Sequence, residues 1–137
     1  PCFVTKVLQW ARENEELRIV NDQISSPTWA RTLAEATTQV IAQGGNELLN
    51  FINIKKGVFH LTDKGYCSRF EFAKKVIEFD PLIHEHKVKS ILPAKSIDFN
   101  TQAQRPSGSK LSCAKFREKF LIYPQNWEKV LMLAFDQ

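Results

Sequence analysis

Apolar residues along this chain fall into short blocks whose spacing switches between helical and extended. Phe3, Val4, Val7, Leu8 and Ala11 recur at three- and four-residue steps, which predicts one apolar helix face over 3–14. Leu17-Arg18-Ile19-Val20 alternates over a β-prone run and breaks at Asn21-Asp22, residues that bond their own backbone and favour turns, so a short strand is expected. Ser26-Pro27 reads as a helix start: a Ser hydroxyl accepts from orphan amides, and Pro at the first helical position has no amide to lose. The second helix is expected over 28–43, with Trp29, Leu33, Ala36, Val40 and Ile41 on one stripe and Gly44-Gly45 supplying a left-handed end.

Asn46 to Asn53 fits neither period cleanly. Lys56-Gly57 then turns the chain into Val58-Phe59-His60-Leu61-Thr62, a compact strand candidate. Ser68-x-x-Glu71 has the spacing of a capping box ahead of Phe72, Ala73, Val76 and Ile77, predicting a third helix to about Phe79. A loop over 80–88, a short strand over 89–93, an irregular stretch over 94–104 and a punctuated loop over 105–109 follow. Ser112 is placed to cap a helix from Cys113 to Phe120, and Asn126 one from Trp127 to Phe135. There is no internal repeat and no flexible linker. The expected class is α/β: one small mixed domain over 1–137 of about five helices and three or four short strands, too few to form a doubly wound parallel sheet alone.

Composition agrees with a folded domain. Of 137 residues, 43% are hydrophobic and 25% charged, and ten Phe, three Trp and two Tyr supply large apolar groups, whereas Gly and Pro are few. No apolar run approaches the roughly 20 residues that span a bilayer and no signal-peptide pattern opens the chain, so a soluble, cytoplasmic protein is expected. The net charge of +4 is dispersed among acidic residues, which argues against nucleic-acid binding. Cys2, Cys67 and Cys113 are odd in number and widely spaced, as reduced thiols would be. His84-x-His86 lacks the further ligands a zinc site needs, so no metal site is expected. The opening Pro1-Cys2-Phe3-Val4 runs directly into a helix without a Met, which suggests a piece of a longer protein.

The stretch LRIVNDQISSPTWAR over 17–31 resembles the strand–Asp-Gln–turn–helix segment of dTDP-4-dehydrorhamnose reductases, in the extended short-chain dehydrogenase/reductase superfamily. Further blocks agree in order: Phe3-Val4 before a helix; the Gly57 to Leu61 segment leading to Cys67-Ser68-x-Phe70-Glu71-Phe72-Ala73; and Arg105-Pro106-x-x-Ser109-x-Leu111 followed by Ser112-x-x-Lys115. The resemblance covers nearly the whole chain. It implies the C-terminal, substrate-binding part of a Rossmann-type reductase whose N-terminal domain, absent here, holds NADPH or NADH, and which reduces dTDP-4-dehydro-L-rhamnose to dTDP-L-rhamnose. The family's Tyr-x-x-x-Lys pair is not in these residues, since Phe70 stands four positions after Tyr66 and Trp127 four after Tyr123. A glycine-rich strand-to-helix phosphate loop is also missing, so the chain itself is expected to bind no cofactor and to be inactive.

Four residues stand out as substrate-binding candidates and none as catalytic. Arg105 presents a planar fork suited to a diphosphate, and the resemblance places a diphosphate contact at this Arg-Pro; the plainer reading is a surface Arg before a Pro. Gln23 and Asp22 sit in the turn that faces the substrate in relatives, or merely serve their own backbone. Thr28, with Ser26 and Pro27, opens the second helix, where unpaired amides favour anions, or is simply part of its cap. The resemblance also implies that the first and second helices pack partly on the absent domain, leaving apolar stripes exposed or buried in a homo-oligomer contact. Three other readings stay open: a non-catalytic relative such as the regulatory β subunit of methionine adenosyltransferase, an epimerase or dehydratase acting on another nucleotide sugar, and a basic nucleic-acid-binding module.

Overall fold

Val7 and Ala11, one helical turn apart, are completely buried and seat the first helix, α1 (Phe3–Glu13), in the main core. The computed structural model describes residues 2–100, 103 and 105–136. After α1 come β1 (Glu16–Val20), β2 (Ile24–Ser25), α2 (Ala30–Gly44), α3 (Leu48–Lys55), β3 (Cys67–Ser68), α4 (Arg69–Phe79), β4 (Ser90–Ala94), β5 (Gly108–Ser109), α5 (Ala114–Phe120) and α6 (Trp127–Phe135). The described residues thus hold six helices and five strands, one of each beyond the expected range. The extra helix is α3, in the stretch that fitted neither period. Leu48, Leu49, Phe51, Ile52 and Ile54 spread around α3, so no single apolar face marks it.

The predicted alternation in β1 is realised: Leu17 and Ile19 point into the core and Arg18 points out. β1 pairs in parallel with β4, in a register that sets Leu17 beside Ile91 and Val20 beside Ala94. Pro93, which has no amide to donate, is tolerated because among the described residues β4 has β1 as its only partner in this sheet. The carbonyls of Ala11 and Glu15 accept from the amides of 87–90, so the end of α1 is bolted to the lead-in of β4.

Of the side-chain caps expected from local sequence, those of Ser68 and Asn126 form, whereas α5 starts at Ala114 behind Cys113, with Ser112 Oγ accepting from the Ala114 amide at 3.4 Å. Ser68 Oγ accepts from the Glu71 amide at 3.1 Å, the Ser68 amide donates to Glu71 Oε2 at 2.7 Å, and α4 runs to Phe79 as expected. Asn126 Oδ1 accepts from the Glu128 amide at 2.8 Å at the start of α6. α4 buries Ala73, Val76 and Ile77 against α1 and β1, and α6 adds Trp127 and Leu131 to the same core. A second cluster gathers Ala36 of α2 with Phe116, Phe120 and Ile122. Phe59 packs edge-on against Phe120 at a centroid distance of 5.0 Å.

Four expectations are corrected. α2 starts at Ala30, not after Ser26-Pro27, because its cap comes from a distant residue: the Trp29 amide donates to Asp63 Oδ2 at 3.0 Å. Residues 58–62 are not a strand, since no described backbone forms a ladder with theirs; side chains meet it instead, Lys115 Nζ donating to the Val58 carbonyl at 2.9 Å and the Thr62 amide donating to Cys113 Sγ at 3.3 Å. The loop at 105–109 ends in β5, which runs parallel to β2. The apolar stripe of α1 packs on α4, with Val7 and Ala11 buried and Phe3, Val4 and Leu8 half-buried, whereas on α2 and α3 Ile41, Leu49 and Ile54 are open to solvent at 50%, 80% and 64%. In the irregular 94–104 stretch, residues 101, 102 and 104 lie outside the described residues.

Candidate functional site

Where β1 ends, the chain must turn, and a second turn at the end of β4 holds it. The Asn21 amide donates to the Ala94 carbonyl at 2.9 Å, continuing the β1–β4 ladder by one residue. The Asp22 carboxylate then accepts from the Ser96 amide at 3.0 Å and from Ser96 Oγ at 2.6 Å. These bonds, the hydroxyl first, hold the Asp22 carboxyl below the usual carboxylate range. Gln23 Nε2 donates to the same Ser96 Oγ at 2.8 Å. Asp98 closes the corner, accepting from the Lys95 amide at 3.0 Å and facing Arg18 at 3.4 Å. Asp22 and Gln23 therefore meet at Ser96, a residue that sequence reading placed in an irregular stretch and passed over.

The Arg105 loop arrives beside this turn. The Ile24 amide donates to the Ser107 carbonyl at 2.8 Å, and β2 pairs Ile24 with Gly108 and Ser25 with Ser109. Arg105 itself is exposed. On the other side β2 pairs antiparallel with β3, Ser25 beside Cys67. The residues flanking β3 and β5 then touch: Lys110 Nζ lies over the face of Tyr66, 4.0 Å from the ring centroid. Lys110 meets the ring and not the hydroxyl, so the pair is a cationic and aromatic surface feature. Asp22 and Gln23 thus lead into β2 and the loop that follows Arg105 pairs with it, while Ser96, Lys110 and Tyr66 enter through tertiary contacts that carry no local sequence signal.

Thr28 falls elsewhere. Its hydroxyl donates to the Ser26 carbonyl at 3.1 Å, a local turn, and it lines a groove of about 470 Å³ with Phe3, Trp29, Asp63, Phe72 and Trp127. At the start of α2 the Trp29 amide is taken by a carboxylate from within the chain. Asp63, only 2% exposed, spends Oδ2 on the Trp29 amide, while Oδ1 has no partner among the described residues. Burial pushes its carboxyl above the usual range, more than the bonds from Trp29 and Thr32 lower it. Gly44 and Gly45 close a helix instead of opening one after a strand. These residues do not fit a dinucleotide: one helix start already holds a carboxylate, and the glycines sit at the wrong end of α2.

The remaining candidates sort themselves by burial. His86 turns inward, Nε2 at 2.7 Å from Asp80 Oδ2, while His84 is exposed, so the two imidazoles do not share a face. Among the described residues no three His, Cys, Asp or Glu side chains gather as a metal site. All three thiols are free, and burial pushes Cys67 up to about 12, keeping it protonated and inert.

Six α-helices around a two-stranded parallel sheet and a three-stranded mixed sheet define a small α/β domain. The family model "RmlD substrate binding domain" matches residues 1–137, and the chain belongs to that family. A dTDP-4-dehydrorhamnose reductase of Burkholderia thailandensis is 32% identical over 135 residues, 96% of this chain and 45% of that protein. The crystal structure of the Bacillus anthracis dTDP-4-dehydrorhamnose reductase in complex with NADP superposes with a TM-score of 0.80 at 28% identity, covering 99% of this chain and 43% of that one. An ortholog from Clostridium acetobutylicum gives 0.82 at 26% identity with the same coverage. The chain therefore spans less than half the length of these relatives.

Proposed function

We propose that this chain is the sugar-nucleotide-binding part of a dTDP-4-dehydrorhamnose reductase, C-terminal to a Rossmann domain that holds NADPH, or alternatively NADH. In the complete protein the C4 ketone of dTDP-4-dehydro-L-rhamnose is reduced to the alcohol of dTDP-L-rhamnose. The dinucleotide supplies the hydride and is held outside these residues; the chain's own share is to bind and orient the sugar nucleotide. The observation that carries the reading is the anchoring of the Arg105 loop, through β5 and Ser107, to the strand that follows Asp22 and Gln23. The guanidinium of Arg105 is the group suited to a diphosphate, and Asp22 and Gln23 are hydrogen-bonding groups suited to a sugar.

The open face of α2 and α3, with the unpaired extended segment 58–62 beside it, is where the rest of the longer protein packs. In the isolated chain the same face offers a homo-oligomer contact. No helix among the described residues is long and apolar enough to cross a membrane. We place the reaction in the cytoplasm, where NADPH and nucleotide sugars are available.

Arg105→Ala in the longer protein is expected to raise KM for dTDP-4-dehydro-L-rhamnose about tenfold, the scale of one charge-assisted hydrogen bond, with kcat little changed. Steady-state kinetics at two salt concentrations checks this, because screening should weaken the wild type more than the variant. An unchanged KM would remove Arg105 from the site.

A further inference from the structure

We propose that Ser96 is a positioning residue: it turns Gln23 so that the carbonyl oxygen of its side chain faces the ligand, making this position an acceptor for a sugar hydroxyl. The inference deepens the functional reading above and rests on it for the identity of the ligand. Its geometric half stands on the counting of protons.

A serine hydroxyl has one proton to give. Ser96 Oγ lies 2.6 Å from Asp22 Oδ1, and an ionised carboxylate only accepts, so the proton goes there. The Ser96 amide donates to both oxygens of the same carboxylate at 3.0 Å, which keeps Asp22 in register with Oγ. With its proton spent, Oγ can only accept. The group of Gln23 that meets it at 2.8 Å must then be the amino end, Nε2. A carboxamide is planar with nitrogen and oxygen on opposite branches, so fixing Nε2 on Ser96 directs Oε1 away from it. No described residue donates to Oε1, and Gln23 is half-buried, not sealed in.

The relay from Gln23 to Ser96 to Asp22 thus removes the ambiguity an isolated glutamine side chain would have. An acceptor there selects ligands that carry a hydroxyl at the matching place, and it leaves a preorganised bond to be made instead of an amide to be reoriented. The corner is stiffened by the Asp98 bonds to Lys95 and Arg18 and by the β1–β4 ladder, which holds Ser96 still relative to Asp22.

The test has two arms, both run on this chain. Side-chain amide exchange of Gln23, followed by nitrogen-15 NMR, should be slow in the wild type and in Ser96→Thr, which keeps the hydroxyl, and about tenfold faster in Ser96→Ala. Equal exchange in the wild type and a folded Ser96→Ala would overturn the positioning role. In the second arm, affinities for dTDP-L-rhamnose and for dTDP are compared by titration. Ser96→Ala and Gln23→Met should each narrow the preference for the sugar-bearing ligand about five- to tenfold while leaving dTDP affinity in place, as loss of one hydrogen bond would. Gln23→Met keeps the side-chain length without touching Ser96, so it serves even where Ser96→Ala disturbs the corner. An unchanged preference in Gln23→Met would overturn the acceptor assignment. Failure of the wild type to bind either nucleotide would count against the functional reading, and amide exchange would still decide the geometry.

Discussion

Asp80→Ala should lower stability by about 3–5 kcal/mol, the cost of breaking a buried ionic cluster by removing one member. The side chain is 3% exposed and faces Arg12 Nη2 at 2.9 Å and His86 Nε2 at 2.7 Å, while its other oxygen accepts from the Leu82 amide at 3.1 Å. Because the carboxylate only accepts, His86 must carry its proton on Nε2, and loss of Asp80 strands an almost fully buried imidazole beside a half-buried guanidinium. This cluster ties α1, the end of α4 and the 80–86 turn together, so its loss should be felt as a fall in the whole melting transition of roughly 10 °C or more. Thermal unfolding by circular dichroism checks it, and a change under about 1 kcal/mol would mean the cluster is a surface feature.

The same residue sets a pH dependence. Burial pushes the Asp80 carboxyl up, but the Leu82 amide, His86 and Arg12 together hold it below its ordinary value. A carboxyl whose folded value is depressed contributes stability above its unfolded value, near 4, and loses it as pH falls through the folded value. The gap between wild type and Asp80→Asn should therefore be full at neutral pH and close progressively below about pH 4.

Trp127→Ala is the second large effect, expected at about 3–5 kcal/mol, the usual range for truncating a core aromatic. Trp127 is 6% exposed, meets Phe72 edge-to-face at 5.5 Å, and donates its amide to the Lys64 carbonyl at 3.0 Å. Its indole also lies against Gly65, where a Cβ would sit a tight 3.0 Å from Trp127 Cδ1 and where a φ of +96° favours glycine. Trp127→Phe keeps an aromatic contact with Phe72 and should recover more than half of the loss. Urea unfolding of the variants measures both, and an alanine variant within about 1 kcal/mol of wild type would show that α6 is not part of the main core.

Elements specified by neighbouring residues were legible in the sequence. Ser68 and Glu71 cap each other three positions apart, Asn126 caps its own helix, and Leu17 and Ile19 alternate with Arg18 within one strand. Elements specified at a distance were not. The start of α2 is set by Asp63, 34 residues away, so the Ser-Pro pair before it misled. Two-residue strands such as β2, β3 and β5 are too short to show a period. Val58 to Thr62 has strand-like residues, yet a strand exists only where another backbone pairs with it. At the site, motif order brought Asp22, Gln23 and Arg105 to notice, but their shared edge depends on β5 lying against β2. Ser96 was invisible because its role lies wholly in bonds that cross from one strand end to another.

The central claim is that the edge formed by Asp22, Gln23 and the Arg105 loop receives a sugar nucleotide. Titrating this chain with dTDP-L-rhamnose while following its backbone amides by NMR tests that claim most directly. The account predicts that the largest shifts cluster at 21–25, 95–97 and 105–110, even where binding is weak in the absence of the rest of the protein. Shifts centred instead on the groove between Phe3 and Trp127, or none at saturating ligand, would contradict it.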